Sequence, residues 1–245
     1  MRCPVPLLAL CAPFVLMPLC GALPVPTRVK NPAPAPAPRV AGKAPLKGIH
    51  NYLCGIHCYS GQPERQVVAH HFCASAGEEV MQCIIYDSNR KDARLIGIEY
   101  IVSARVFKAL PAEEKRLWHS HAYEVKGGVL AAPELGEAAE KALMKDLAST
   151  YGKTWHTWQV DRGDRVPLGI PQLMMALTGD GQAQAKAVAD LDQTLNRPLD
   201  ERRRRRADLP DPVVEPGADA WRLGTAWQLE LKARTPERPS KIPLH

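Results

Sequence analysis

Two neighbouring stretches in the first half of the chain have the hydrophobic pattern of paired strands. The runs QCIIYD at 82–87 and ARLIGIEYIV at 93–102 are rich in β-branched and aromatic residues, and the polar segment SNRKD separates them. Such runs divided by a short polar segment are typical of two strands joined by a hairpin loop. The pattern therefore predicts an antiparallel hairpin here.

Two later segments are predicted to be helical. In the segment 104–118, Pro111 and the acidic pair that follows it favour a new helix start. Between Pro133 and Gly152, hydrophobic residues recur every four positions, and Gly152 is placed to end a helix. The recurring residues are Leu135, Ala139, Leu143, Leu147 and Tyr151. This spacing predicts one long amphipathic helix.

The second half of the chain adds two predicted strands. The run KTWHTWQV at 153–160 alternates in a way that predicts a strand with at least one buried indole, and WRLGTAWQLELKA at 221–233 predicts a last strand. Short strands mixed with two or three helices, without regular βαβ alternation, indicate a single α+β domain. We therefore expect a mostly antiparallel sheet packed with those helices.

The N-terminus has the pattern of an export signal. Residues 1–22 combine a minimal basic start, an apolar stretch and small residues, which predicts a signal peptide cut after Ala22. Lipidation of Cys20 is the alternative. Prolines interrupt the apolar run, which is shorter than a spanning helix requires, so no transmembrane helix is expected in the mature chain. The predicted location is the periplasm or cell envelope.

Composition divides the remaining chain into a linker, a domain and a tail. Alternate prolines in 23–45 exclude helix and sheet and predict a semi-rigid extended linker. The predicted domain covers 46–233 and includes a polar, arginine-rich segment at 179–215, and 234–245 is a predicted flexible tail. Apolar residues make up 45% and charged residues 24%, which excludes disorder of the whole chain.

The net charge of +6 owes much to one run of arginines, Arg202–Arg206. The run is predicted to be a solvated face, and contact with lipid or an anionic envelope surface is the functional alternative. Nucleic acid is not an expected partner, because the chain is predicted to be exported and no aromatic residues interleave the arginines.

Removal of the predicted leader leaves four cysteines, Cys54, Cys58, Cys73 and Cys83. In an oxidising compartment four cysteines form up to two disulfides by any of three connectivities, which the sequence does not distinguish. Cys73 and Cys83 are also explained as small buried residues. The CGIHC spacing of the first two fits either a metal site or a disulfide.

The segment WHSHAYE at 118–124 is the strongest candidate for chemistry. His119 and His121 share a face only if the chain is extended, whereas Glu124 lies beside His121 only if the chain is helical. The HExxH pattern is absent, so a zinc-protease motif is excluded. Two interpretations remain open: a metal or acid-base site, and a buried polar network around the sheet.

A metal at this segment would need further ligands from elsewhere in the chain. His70, His71, Cys73 and His156 are the candidates, and His71 shares a strand face with Cys73. The predicted metal set is His71, His119, His121, Glu124 and His156. The implied cofactor is a divalent transition metal such as zinc.

The turn DRGDR at 161–165 also admits two interpretations. Arg162 or Arg165 fits a fork that binds a carboxylate or phosphate. The alternative is a turn that neutralises itself through Asp–Arg pairs.

Long blocks of the chain, in order, resemble one known family. These blocks are HHFC, QCIIYDS, ARLIGIEYIVS, LPAEEKRLWHSHAYEVKGG, LASTYGKTWHTWQVDRGDRVPLGIPQLMM and PGADAW. They are similar to the oil body-associated proteins (OBAP), whose bacterial members are described as a domain of unknown function. The resemblance covers about 46–233 and implies association with a lipid body or lipid surface; it supplies no established catalytic activity. This chain differs from a cytosolic oil-body protein in its predicted leader and its proline-rich linker, which such a protein would not need.

These observations predict an exported protein with a non-enzymatic role at lipid or the cell envelope. The alternative is a metal-dependent or acid-base enzyme that uses His119, His121 and Glu124, with Arg162 and Arg165 holding an anionic group. A third class is a disulfide-stabilised interaction module. Convergence of the histidines and carboxylates on one site separates these hypotheses.

Overall fold

The structure is a computed structural model that describes residues 44–235. The predicted signal peptide, nearly all of the predicted linker and most of the predicted tail lie outside the described residues. Within 44–235, no helix is both long enough and apolar enough to cross a bilayer.

Six antiparallel strands form a closed barrel. β1 pairs with β2, and the ladder continues through β3, β4, β7 and β8 back to β1. The strands are β1 (Ile49–Tyr59), β2 (Gln62–Ser75), β3 (Val80–Tyr86), β4 (Leu95–Val102), β5 (His119–Ser120), β6 (Leu130–Ala131), β7 (Tyr151–His156) and β8 (Gln172–Ala176). The two short strands are additions to the ring, since β5 pairs with β7 and β6 with β1. Because the ring is closed, its six strands have no open edge.

Between residues 44 and 235, six short helices lie in the connections between strands and after the last strand. They are α1 (Ala104–Ala109), α2 (Ala112–Lys115), α3 (Ala122–Lys126), α4 (Glu137–Leu147), α5 (Ala185–Leu195) and α6 (Leu199–Arg205). The same part of the chain has 3-10 helices at Leu46–Gly48, Val160–Arg162 and Ala220–Leu223.

The prediction of an α+β domain with helices packed on a sheet was wrong, because the sheet closes on itself instead. β1 and β2, with 11 and 14 residues, are the long strands that complete the ring. Their burial does not alternate, because eight consecutive positions of β1 are buried. The strands that close the barrel therefore lack the alternation, with a period of two residues, by which a strand is recognised in a sequence.

Several local predictions were confirmed. β3 and β4 form the predicted hairpin, and the 104–118 segment divides at Pro111 into two short helices. β7 starts at Tyr151 and ends at His156, so the predicted strand at 153–160 is present only in its first half.

Two local predictions were wrong. The long helix predicted between Pro133 and Gly152 is only α4, which ends at Leu147, and Gly152 lies in β7 instead of capping a helix. The strand predicted at 221–233 is absent from the described residues. There the Gln228 side chain bonds both the backbone N–H and the carbonyl of Leu173, so side-chain bonds replace a strand ladder.

The barrel interior contains two apolar layers at different heights along the strands. The first layer includes Leu53, Cys73, Cys83, Ile101, Val125 and Leu130. The second layer includes Tyr59, Val67, Ala69, Ile85, Ile96 and Met174. A further apolar cluster packs α5 against the outside of β1 and β8. The strands pass through both interior layers, and the polar residues of the candidate site lie between them.

The arginine run is not the solvated face that the sequence predicted. Arg202 and Arg206 are buried on one side of α6, because residues four apart share a helix face. Arg202 donates to the Gly128 carbonyl and to Asp192. Four of the five arginines have protein acceptors, and Arg204 is exposed. The run mainly clamps the outer helices to the barrel.

We expect Arg206→Met to lower the free energy of unfolding by about 3 kcal/mol. Arg206 donates to the carbonyls of Val125 and Leu130 and to the buried carboxylate of Glu140, all of which would lose this partner. Urea denaturation measures the loss. The matched control is Arg204→Met on the same helix, for which we expect a change within about 0.5 kcal/mol. Equal effects of the two substitutions would contradict the clamp.

Candidate metal centre

A layer of buried histidine and glutamate side chains lies between the two apolar layers of the barrel. On β1, His57 lies between Leu53 of the first layer and Tyr59 of the second. The layer contains His57, His71, Glu99, His119, His121, Glu124 and His156, each 0–2% exposed. Buried ionisable groups at this density are costly without compensating partners, so the layer is the candidate site.

Strand register and one short helix deliver these side chains. The barrel strands β1, β2, β4 and β7 supply His57, His71, Glu99 and His156. β5 places His119 opposite Gly152 of β7. The chain then turns at His121 into α3, which brings Glu124 to the same place. A strand followed at once by a helix therefore gathers the three residues that no single regular structure could gather.

The carboxylate of Glu99 is at the middle of the cluster. Its Oε2 lies 2.9 Å from His71 Nε2 and 3.7 Å from His57 Nε2. Its Oε1 lies 3.3 Å from the Nε2 atoms of both His119 and His121. Each carboxylate oxygen thus faces two imidazole nitrogens.

The two spacings of 3.3 Å match the edges of a metal coordination polyhedron. Zinc binds imidazole nitrogen at 2.0–2.1 Å, so neighbouring ligands of a tetrahedral site are about 3.3 Å apart. His57 Nε2 and His71 Nε2 are 3.2 Å apart. This distance is close to the 3.3 Å that separates His119 Nε2 and His121 Nε2 from Glu99 Oε1. Two sets have ligand atoms within 4.8 Å of one another: His57, His71 and Glu99, and Glu99, His119 and His121.

The hydrogen bonds around His121 leave its Nε2 lone pair directed at Glu99. The Thr150 hydroxyl donates a hydrogen bond to the Leu147 carbonyl. Its oxygen therefore accepts a hydrogen bond from His121 Nδ1, at 2.7 Å. A neutral His121 protonated at Nδ1 has no proton on Nε2, which then faces a carboxylate oxygen. A lone pair facing a lone pair is repulsive unless a cation lies between them. This is also the outer hydrogen bond by which proteins orient a metal-binding histidine.

Other nitrogens of the cluster lack partners among the described residues. The unpaired atoms are both ring nitrogens of His119, Nδ1 of His71 and Nδ1 of His156. Buried polar atoms without a hydrogen bond are rare and costly, and a bound ion is one way in which proteins satisfy them. The donor set of imidazoles and carboxylates fits a divalent transition metal.

Burial and mutual contacts shift the pKa values across the cluster. Burial lowers the pKa of His57 and lowers that of His156 to about 3. Burial raises the pKa of Glu124 to about 8. For Glu99 burial acts upward, but close contact with the surrounding imidazoles outweighs it and holds the pKa well below its usual range. Burial therefore disfavours the charged form of most of these side chains, because charge is costly away from water.

Gly152 makes room for the centre. A Cβ at this position would overlap Glu99 Oε1 and would lie 2.5 Å from His119 Nε2. Only the absence of a side chain lets the Glu99 carboxylate and the imidazole of β5 meet at this point on β7. Gly152, which the sequence predicted to end a helix, is therefore part of the site.

Asp219 fixes the segment that carries His119 and His121. Its carboxylate accepts from the backbone N–H and from the hydroxyl of Ser120, at 2.8 and 2.7 Å. Asp219 is buried and has a positive φ of 55°, which is uncommon for a residue other than glycine. The late PGADAW block thus positions the histidines from a distance of about a hundred residues in sequence.

The structure brings together the five residues predicted as metal ligands: His71, His119, His121, Glu124 and His156. His70, the neighbour of His71, points away and bonds Tyr52 Oη through Nδ1. Sequence reasoning missed His57 and Glu99. Both had a signal, because Glu99 is the one charged residue of LIGIEYIV and His57 lies inside an apolar run.

The four cysteines form one disulfide, between Cys73 and Cys83, which pair across β2 and β3. The possibility of two disulfides is therefore excluded, since Cys54 and Cys58 are free and buried. Burial raises the pKa of both thiols to about 12, so they remain protonated. Both pack in the apolar cluster under α5, so the CGIHC motif supplies His57 to the site but not its cysteines.

The DRGDR turn follows the self-neutralising interpretation. Arg162 donates to Asp164 and Gln159, and Asp161 accepts from Tyr59 and Arg65. Arg165 is exposed on the same turn. The turn does not approach the buried cluster through either arginine. An anion site at Arg162 and Arg165 stays a prediction.

Three grooves on the surface are lined by other residues. The largest, about 970 Å³, includes Arg65, Arg94 and His70. A second, about 560 Å³, includes Arg116 and Trp227. The third, about 260 Å³, is apolar. None of these three grooves is lined by a residue of the cluster, which is enclosed by protein.

Comparisons with known proteins identify relatives of the chain. A family profile described as "Protein of unknown function (DUF1264)" matches residues 43–210. Oil body-associated protein 1A of Zea mays is 46% identical over 183 residues, covering 74% of this chain and 77% of the relative. Oil body-associated protein 1B of Arabidopsis thaliana is 43% identical over 198 residues, covering 80% and 81%. No solved structure matches the chain significantly. The chain therefore belongs to the oil body-associated protein family and carries the domain of unknown function DUF1264.

Proposed function

We propose that this protein binds a divalent transition metal, such as zinc, in the enclosed centre around Glu99. The observation that carries the proposal is the carboxylate whose two oxygens each face two imidazole Nε2 atoms at ligand spacing. A metal ion would satisfy the facing lone pairs and the unpaired nitrogens of His119 together.

The enclosure of the centre favours a stabilising role over turnover of a substrate. Catalytic metal sites keep a coordination position open to substrate, whereas structural sites are closed. All the cluster residues are at most 2% exposed, and apolar layers lie on both sides of them. The metal would link the barrel strands β1, β2 and β4 with the segment of β5, and its binding energy would add to the stability of the fold.

Elemental analysis of the purified protein tests this proposal. We expect at least one equivalent of a divalent transition metal per chain, and a metal content lower by about one equivalent in the double variant His119→Ala/His121→Ala. The control is His50→Ala, an exposed histidine outside the cluster, which should keep the full metal content. Wild-type protein without metal, even after incubation with zinc, manganese, iron and cobalt salts, would overturn the proposal.

We further propose that the barrel is exported and that its outer surface meets lipid. The predicted leader and the Cys73–Cys83 disulfide support a compartment outside the cytosol, because disulfides persist in oxidising environments. The relatives are oil body-associated proteins by name, which supports a lipid-related role.

An apolar groove on the outside of the barrel is the surface that we propose for this contact. Phe72, Ile84 and Ile98 are register partners across β2, β3 and β4, and they line the groove of about 260 Å³. Tyr100 borders it and is 40% exposed, and Pro45 at the start of the described chain also lines it. A linker that leads to an envelope surface would therefore join the domain beside this apolar groove.

Flotation with vesicles of phosphatidylcholine and phosphatidylglycerol tests the lipid contact. We expect the wild type to float with the vesicles and Ile98→Glu to lose at least half of the bound fraction, because a charge in the groove must be desolvated. The control is Val213→Glu, at a residue that is 85% exposed and outside the groove. Equal flotation of the two variants would assign the contact to another surface.

A further inference from the structure

The two oxygens of Glu99 divide the histidines of the centre into two pairs. Oε2 faces His57 and His71, whereas Oε1 faces His119 and His121. The two sets of possible ligands that the structure contains share only Glu99. A carboxylate with a separate imidazole pair at each oxygen has the arrangement of a bridge between two metal ions.

Each pair has a further group that suits it to a metal. On the Oε1 side, Glu124 Oε2 lies 3.8 Å from His121 Nε2 and 4.0 Å from His119 Nε2, near enough to be a third ligand. On the Oε2 side, His156 Nε2 lies 3.1 Å from His57 Nδ1. One proton occupies that contact, and when His57 carries it, the ring presents a bare Nε2 to the carboxylate.

Carboxylate ligands are available to both pairs. Glu99 lies between the pairs, and Glu124 lies on the Oε1 side. The described contacts of the cluster side chains include no lysine or arginine. No cationic side chain among the described residues therefore occupies the position of a metal ion beside either oxygen of Glu99.

We propose that the centre is dinuclear, with two divalent transition metal ions bridged by the carboxylate of Glu99. His119, His121 and Glu124 would hold one ion, and His57 and His71 would hold the other. Two metals in such sites are about 3.5–4 Å apart, a separation that one carboxylate spans. This inference rests on the proposed metal-binding function and specifies its stoichiometry and ligands.

Metal stoichiometry and magnetic coupling test the inference on the full-length protein. We expect wild-type protein reconstituted with Mn²⁺ to bind two equivalents and to give the exchange-coupled electron paramagnetic resonance spectrum of a bridged pair. The double variants His57→Ala/His71→Ala and His119→Ala/His121→Ala should each retain one equivalent and give the spectrum of an isolated ion. The wild-type spectrum needs no variant, so the test holds if a variant fails to fold.

The outcomes separate this inference from the proposed function. One equivalent in the wild type, with an uncoupled spectrum, overturns the dinuclear centre and leaves the metal-binding function standing. No bound metal overturns both. Two equivalents that remain in either double variant place the ions elsewhere and overturn the assignment of ligands.

Discussion

Replacement of Gly152 by alanine is expected to abolish metal binding and to lower the free energy of unfolding by about 3 kcal/mol or more. The added Cβ would occupy the space of Glu99 Oε1 and of His119 Nε2. Neither side chain can withdraw, because both are buried and Glu99 is enclosed by other imidazoles. The strand must therefore shift, which breaks the pairing of β5 with β7 that positions the histidine segment.

Thermal unfolding and elemental analysis together check this result. For a domain of this size, 3 kcal/mol corresponds to a fall in Tm of roughly 6–12 °C. The matched control is Gly179→Ala, where the added Cβ would make only an ordinary contact of 3.6 Å. A Gly152→Ala protein that keeps both its metal and its Tm would show that the site has more space than the structure indicates.

Gly152 also shows why sequence patterns located part of the fold and missed its topology. The hairpin of β3 and β4 was predictable because two runs rich in β-branched and aromatic residues flank a short polar segment. β1 and β2 were not, because histidines and cysteines occupy inward positions where a strand normally shows aliphatic residues. Gly152 follows a helix-like run, so its position predicted a helix C-cap. It lies instead in β7, where the absence of a side chain leaves room for Glu99 and His119.

The candidate site was predictable only as far as histidines cluster in sequence. The close spacing of His119 and His121 marked this segment as a candidate site. His71 and His156 were then predicted as further ligands of the same metal. Glu99 was overlooked, although a lone carboxylate in an apolar strand indicates a buried charge that needs a partner. Barrel closure, which brings β1 and β4 to one interior, is a long-range event that no local pattern encodes.

The arginine run shows the reverse error, in which composition suggested a function that packing removes. Five consecutive arginines read as a solvated or lipid-binding face, yet Arg202 and Arg206 donate to buried backbone carbonyls. The planar guanidinium, with several donors in a fixed fork, suits such enclosed carbonyl groups. For Arg202 and Arg206, burial, which a sequence does not display, overturned both interpretations.

Substitution of Glu99 by glutamine is expected to remove all bound metal without a change in side-chain size. Both carboxylate oxygens face imidazoles, and the neutral amide offers one uncharged carbonyl oxygen and one NH2 group, which carries two donors, in their place. A ligand present at 1,000 times its dissociation constant stabilises the fold by about 4 kcal/mol. Loss of metal should therefore lower the Tm of Glu99→Gln by roughly 8–16 °C relative to the metal-loaded wild type.

Chelation distinguishes loss of the metal from simple disruption of the core by Glu99→Gln. Treatment of the wild type with a strong chelator should lower its Tm to about that of the variant, whereas the Tm of the variant should not respond to the chelator. Glu113→Gln, at an exposed glutamate outside the cluster, is the control and should respond as the wild type does. If Glu99→Gln kept its metal, the ligands would lie elsewhere. If the chelated wild type remained far more stable than the variant, Glu99 would act mainly through its hydrogen bonds to the histidines. The agreement of the two Tm values is thus the result that ties the carboxylate to the metal and the metal to the stability of the barrel.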